Sequence, residues 1–439
     1  MASSLVNSPQ PSIRSGVATA MPVAVAGLAA NGANIIVTVL LARLLSNQGY
    51  GAFAQLVGLF LVVSMPGSAV IVAVVRRTAS WRTAGSHVAL ATWAVRMHRR
   101  MAWLVGAYLL MVGAASVPLA ALLAKPSPIA VAAMLSGAGL WVALCVDRGF
   151  LQGTRGYRSL ANNLLIEGGV RTVAVLGLAL AFKLPGAALG VLVAEIATAL
   201  HARRASHAAL RSVTDDGMSV TPPSIRRDLV VDLIAALVAL TLMAVLQNVD
   251  VILLGRLNPS EAGSYAAVSV ACKALVFAAI VLGGYLLPEA AISYHEGNHA
   301  LKQLAATLSM LAAPALVLVL LATFFPDQVL RLVFSARYLG AEAAFAPLAW
   351  AMAALSVTVV LTMYLLAHGQ RWVVMLLGVG AIAAVVSINA ADGSPTATAN
   401  ADLVVQAVLA VACTAGLVIV HIRNHGIEPP SVLEPGAPE

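Results

Sequence analysis

From Val17 to His421 the chain alternates long apolar runs with short polar connections, twelve times over. The runs fall at 17–43, 51–75, 101–124, 127–146, 160–182, 185–202, 229–254, 264–287, 304–324, 343–367, 371–388 and 402–422. A hydrocarbon core about 30 Å thick takes roughly 20 apolar residues to cross as helix. Inside it the backbone must satisfy its own hydrogen bonds, which favours helices. The pattern therefore predicts an all-α polytopic membrane protein of about twelve transmembrane helices, the first a retained helix rather than a cleaved signal peptide.

The connections set the sidedness. With the amino terminus cytoplasmic, that side receives Arg14, the groups Arg76–Arg100, Arg148–Arg158 and Arg203–Arg227, then Lys302, Arg371 and Arg423. The other side receives Arg43, Lys125, Lys183, Arg256, Arg331 and Arg337. Eighteen against six is a positive-inside bias, so both termini are expected in the cytoplasm. The stretch Ser86–Arg100 mixes Trp93, Val95 and Met97 with Arg96, Arg99 and Arg100, as suits a segment anchoring the third helix at a headgroup surface.

The longest polar interruption, 203–228, contains Asp215-Asp216-Gly217 and Pro222-Pro223 and reads as a cytoplasmic linker. It separates two six-helix bundles, 17–202 and 229–422, flanked by tails at 1–16 and 423–439, the second of disordered composition. The halves echo each other. Leu40-Leu41-Ala42-Arg43-Leu44 with Tyr50-Gly51-Ala52-Phe53-Ala54 pairs with Leu253-Leu254-Gly255-Arg256-Leu257 and Ala262-Gly263-Ser264-Tyr265-Ala266. Gly153-Thr154-Arg155 pairs likewise with Gly369-Gln370-Arg371. Six helices per repeat return the second half in the same orientation, giving a parallel pseudo-twofold along the membrane normal. Two bundles facing each other across a cavity, working by alternating access, are the expected arrangement.

Composition narrows the function classes. At 60% hydrophobic and 10% charged, the chain lies far from soluble domains, whose charged fraction is about 25%. Its net charge of +8 is spread over many short loops rather than one face, so no nucleic-acid partner is expected. Cys145, Cys272 and Cys413 sit in apolar runs as small free hydrophobes. His295-Glu296-Gly297-Asn298-His299 matches H-E-x-x-H, but a Gly-Asn turn dipeptide at its centre argues against the helix that zinc chemistry needs. There is no phosphate-binding G-x-x-x-x-G-K-[ST] and no G-x-S-x-G nucleophile motif, so neither an enzyme nor a cofactor is expected.

The ordered set Leu40 to Ala54, Phe150-Leu151-Gln152-Gly153 with Arg155 and Tyr157, Asn248-Val249-Asp250 with Leu254-Gly255-Arg256, Leu287-Pro288, and Leu332-Val333-Phe334 with Arg337-Tyr338 resembles polysaccharide-type transporters of the multidrug/oligosaccharidyl-lipid/polysaccharide exporter superfamily. The resemblance covers nearly the whole chain. It implies a cell-membrane flippase that moves a polyprenyl-phosphate- or diphosphate-linked glycan from the inner to the outer leaflet for envelope polysaccharide assembly. Membrane lipids, and glycosyltransferases or a polymerase of the same pathway, are the partners it implies.

Ionisable groups inside a membrane are costly and mark candidate sites. Asn163, Glu167 and Arg171 form one stripe at i, i+4 and i+8 on the fifth helix. Either Arg171 draws a phosphate with Glu167 orienting it, or the pair locks helices together. Tyr265, Ser269 and Lys273 repeat that spacing on the eighth helix, with Lys273 suited to a phosphate or to pairing with Asp250 or Glu195. Its counterpart in the first half lies near Leu61, so a cationic site would be asymmetric. Asn31 and Asn34, with Thr38, offer a sugar-contacting stripe on the first helix or interhelical glue. That helix has no Asp or Glu, where multidrug antiporters of the resembled superfamily carry an acidic coupling residue, so the resemblance disfavours the alternative of a drug/cation antiporter. Glu195 and Asp250 are the ion-coupling candidates. A non-transporting scaffold of a glycan synthase complex is the alternative from another class.

Overall fold

The computed structural model describes residues 13–123, 126–214, 227–293 and 299–425. Among them the chain is helical, and no strand occurs. The first half comprises α1 (Ile13–Leu44), α2 (Asn47–Ser64), α3 (Pro66–Thr83), α4 (His87–Leu122), α5 (Pro128–Gly153) and α6 (Tyr157–Thr214). The second comprises α7 (Arg227–Leu257), α8 (Ala262–Ser293), α9 (His299–Phe324), the short α10 (Pro326–Val333), a 3-10 turn (Ala336–Ala344), α11 (Phe345–Ala367), α12 (Trp372–Ala390) and α13 (Pro395–His425). The interior of the 203–228 linker, most of both tails and most of the H-E-x-x-H segment lie outside the described residues.

Among the described residues, eleven helical stretches are long and apolar enough to cross a membrane. One of them, 157–212, contains two crossings. Its helical path breaks at Lys183, with φ 53 and ψ −129, just before Pro185. The two arms then pack antiparallel: a Cβ on Gly190 would lie 2.4 Å from Val175 Cα, so only glycine allows this approach. With both arms counted, twelve membrane-length apolar stretches occur among the described residues, the number the apolar pattern predicts.

Two local differences from that pattern have clear causes. The run at 51–75 is two helices, because Pro66 occupies the first turn of α3 and has no N–H to continue α2. The second arm of α6 does not stop at residue 202; it continues to Thr214, with Ser206 and Leu210 buried.

Within the first half, α6 packs on α5 and α1, and α5 on α3 and α4; within the second, α11 packs on α8, α13 and α9, and α12 on α7. The halves meet where α2 lies against α7 and α8. The repeated motifs make that seam. A Cβ on Gly51 would come within 2.5 Å of Ala262 Cβ, and one on Gly263 within 2.2 Å of the Asn47 carbonyl oxygen. Asn47 Nδ2 donates to Ser264 Oγ at 2.8 Å while its Oδ1 accepts from the Ser264 N–H at 3.1 Å. Gln55 Nε2 donates to Ile252 O at 2.6 Å, Arg337 Nη1 to Leu45 O at 3.1 Å, and the Tyr338 hydroxyl to Ala42 O. Tyr50 is fully buried at the centre, its ring 5.5 Å from Tyr338 and 6.5 Å from Phe334. All these contacts lie at the end of the molecule that carries the α1–α2 and α7–α8 turns.

Candidate functional site

Among the described residues, each bundle buries a polar cluster at membrane depth. In the first, the leading arm of α6 presents Asn163, Glu167 and Arg171 on one face, as their spacing dictates. Arg171 lies 14 residues into that arm, about 21 Å along it, near the middle of a bilayer. The returning arm adds Glu195, Thr198 and His201; α5 adds Arg148; α1 adds Asn34.

Four of these side chains form an alternating ladder. Arg148 Nη2 donates to Glu167 Oε2 at 2.5 Å, and Arg171 Nη2 donates to Glu167 Oε1 at 2.6 Å and to Glu195 Oε1. Arg171 Nη1 reaches Asn34 Oδ1 at 3.2 Å. Asn163 accepts from Arg148 Nε at 2.8 Å, donates to Thr198 O at 2.9 Å, and lies 3.2 Å from His201 Nδ1. Glu195 is fully buried, Glu167 and Arg148 nearly so, and the Arg171 side chain is 16% exposed. Two guanidinium groups thus offset two carboxylates. Two atoms of the ladder are buried without a partner, Arg171 Nε and Glu195 Oε2.

Nearer the end of the bundle where α6 finishes, Asp147 accepts from Ser206 Oγ at 2.5 Å and lies 2.9 Å from His98 Nε2. The His98 ring stacks on His207 with centroids 5.3 Å apart.

In the second bundle, Asp250 is the hub. Its Oδ2 accepts from Tyr265 Oη at 3.2 Å and Ser269 Oγ at 3.3 Å, and its Oδ1 from Lys273 Nζ at 3.4 Å. Lys273 Nζ also lies 3.4 Å from Asn248 Oδ1. From α13, Asp402 stands within electrostatic reach of Asp250 and Lys273. Its Oδ1 accepts from Gln406 Nε2 at 3.0 Å, and Gln406 Nε2 also reaches Leu246 O at 3.2 Å. Asp402 Oδ2 and Gln406 Oε1 are buried without partners. Two buried carboxylates thus neighbour one ammonium, which pairs with Asp250, a local balance opposite to a purely cationic site.

The structure thus gathers Asn34, Asn163, Glu167, Arg171 and Glu195 in one cluster, and Asp250, Tyr265, Ser269 and Lys273 in the other. Lys273 pairs with Asp250, and Glu195 with Arg171. Asn31 is exposed on α1 and belongs to neither cluster. Arg148 corrects its sequence assignment: it is a buried residue of α5 rather than a loop charge, because Glu167 holds it. Asp147, Asp402 and Gln406 were absent from the candidate set. A usable signal existed for the last two, since Thr398, Asp402 and Gln406 repeat the i, i+4, i+8 spacing and all three are fully buried.

No family model and no curated protein matches the sequence. Solved structures do match in fold. A multidrug resistance MATE family transporter of the MOP superfamily, in its inward-facing conformation, superimposes with a TM-score of 0.71 at 13% identity, over 90% of this chain and 96% of that one. Such a transporter in its outward-facing conformation gives 0.64 at 14% identity, over 94% and 96%. A MOP superfamily transporter from Pyrococcus furiosus, described by a reversed polarity of its binding pocket, gives 0.64 at 15% identity, over 94% and 96%. The chain has the all-helical fold of these transporters.

Proposed function

We propose that the protein is a multi-pass cell-membrane transporter that flips a polyprenyl-phosphate- or diphosphate-linked sugar or oligosaccharide from the inner to the outer leaflet, for cell-envelope polysaccharide assembly. The observation that carries this reading is the chemistry where α1 meets the buried ladder. The side chain α1 delivers there is the amide of Asn34, and the group it meets is the guanidinium of Arg171. An exposed carboxylate would suit a cationic drug; the Arg171 guanidinium, held by Glu167 and Glu195 and capped by the Asn34 amide, suits a phosphate. Lys273 provides a second cation, from the opposite bundle. The motif resemblance across both halves supports the same cargo.

Alternating access is the mechanism the architecture supports. With the termini cytoplasmic, the glycine seam closes the outer side and leaves substrate to arrive from the inner leaflet. Rocking about the seam then exchanges which side is open. Glycosyltransferases or a polymerase of the pathway would supply and consume the cargo on the two sides.

One observation favours a second reading. Asp402 lies near Asp250 and the lysine that pairs with Asp250 alone, and one Asp402 oxygen has no partner, an arrangement that suits a coupling cation. In the flippase reading this pair couples an ion gradient to flipping. In the antiporter reading it recognises a cationic drug.

The test is the transbilayer distribution of polyprenyl-linked sugars in cells depleted of the protein, read with a membrane-impermeant probe on intact and opened membranes. Inner-leaflet accumulation, reversed by the wild-type gene, is the expected result. Normal distribution with altered drug sensitivity would select the antiporter, and normal distribution with a disrupted synthase complex the scaffold.

A further inference from the structure

Resting on the lipid-phosphate reading, we propose that the first bundle binds its phosphate anion and a proton together, the anion on Arg171 and the proton on Glu195. The two carboxylates of the ladder are not equivalent. Glu167 has both oxygens engaged, one by Arg148 and one by Arg171. Glu195 has a single partner, Arg171, which it shares with Glu167, and its second oxygen is buried with none. Arg171 in turn has a buried Nε with no partner, beside the Nη2 that Glu195 occupies. The edge of the guanidinium formed by Nε and Nη2 is the one that takes two phosphate oxygens in a fork.

An anion alone cannot use that edge. If it displaced Glu195 from Nη2, the carboxylate would be left fully buried with no counter-charge, at the cost of breaking a buried ion pair. A proton alone gains nothing either, because it would free one guanidinium edge and leave it buried. Together they fit. The proton, drawn from whichever aqueous side is open, forms an O–H bond on Glu195, and the anion takes over the charge that Arg171 loses. The other groups facing the ladder do not offer the same exchange. Arg148 belongs to Glu167, Asn34 and Asn163 are neutral amides, Cys145 of α5, near both carboxylates, is a buried free thiol, and α2 has no Asp, Glu, Lys or Arg between Asn47 and Ser64. His201, on the returning arm, meets the amide of Asn163 rather than Glu195.

By thermodynamic linkage, each ligand then strengthens the other by the same factor. The site works as a co-binding site and not as an exchanger in which proton and cargo compete. The pair also enters the membrane with one unit less negative charge than the anion alone, which lowers the cost of the crossing.

The experiment uses the full-length protein in nanodiscs and a polyprenyl methyl phosphodiester as probe. That phosphodiester stays monoanionic from pH 5.5 to 8.0, so any pH dependence belongs to the protein; the uncharged polyprenol is the control. Calorimetry in buffers of different ionisation enthalpy counts protons. The expected result is binding at least about tenfold tighter at pH 5.5 than at 8.0, with uptake of about one proton per probe at the higher pH. Glu195→Gln should bind tightly at both pH values with no proton uptake. Equal affinity at both pH values and zero uptake by the wild type, with binding lost in Arg171→Ala, would overturn the proposal while leaving the phosphate cargo standing. Absence of probe binding at either pH, by wild-type protein that still unfolds cooperatively, would overturn the cargo reading as well.

Discussion

Among single residues, Glu167 carries the heaviest structural duty, since both arginines of the first bundle lean on it. Glu167→Ala should cost about 3–5 kcal/mol by leaving two guanidinium groups partly unpaired in the interior. Asn31→Ala, on an exposed part of α1, should change stability by no more than about 0.5 kcal/mol. Thermal unfolding of the purified variants in detergent measures both. Asp402 presents the reverse case, because one of its oxygens already lacks a partner. Asp402→Asn preserves shape and removes a buried charge, so it should leave stability within about 1 kcal/mol. It should nevertheless abolish any dependence of transport on an imposed sodium gradient in proteoliposomes, while the proton dependence that belongs to Glu195 remains; retained sodium dependence would remove Asp402 from coupling. The stripe at Asn163, Glu167 and Arg171 was readable from spacing alone. The Asp402 stripe has the same spacing but falls where the apolar run begins, and hydropathy ends a span at its first charge. Asp147-Arg148 was lost for the same reason. Only partners distant in sequence, His98, Ser206 and Glu167, make those two charges interior.

At the level of helices, hydropathy located the crossings because a bilayer imposes their length, but it could not place their breaks. Pro66 splits one run into α2 and α3, whereas Pro22, Pro118 and Pro314 lie inside continuous helices. The difference is tertiary: α2 must run along the interbundle seam while α3 packs back on α5. The α6 hairpin depends equally on one small side chain. In Gly190→Leu the new Cβ would meet the backbone of Val175, which cannot yield as a flexible side chain would. The cost should reach the upper part of the roughly 1–3 kcal/mol typical of overpacking, with a matching loss of monodisperse protein on size-exclusion chromatography. Gly169→Ala, where a Cβ would meet nothing within 4 Å, should chromatograph as the wild type does.

For the molecule as a whole, the repeat is more than a trace of symmetry, because the two copies of the motif dock on each other. Gly51 and Gly263 are equivalent positions in the aligned halves, and each sits where the other half's backbone approaches. A pseudo-twofold passing between them makes the seam self-complementary, so opening it separates equivalent surfaces and a single rotation serves both bundles. That geometry turns alternating access into a question about one contact. Asn47 and Ser264 are bonded across the seam at 2.8 Å, and the three native cysteines are free and buried. The double variant Asn47→Cys, Ser264→Cys should therefore crosslink on mild oxidation, hold the seam shut, and stop transport until reductant is added. In the other direction, Gly51→Leu would put a side chain where Ala262 stands and should hold the seam open. A single Ser264→Cys, slow to react with an external impermeant maleimide in the wild-type background, should then react at least about tenfold faster, the response expected when a population shifts by more than about 1.4 kcal/mol. If the crosslinked protein transports at the wild-type rate, the bundles do not move apart at this end, and the rocking mechanism fails whatever the cargo is.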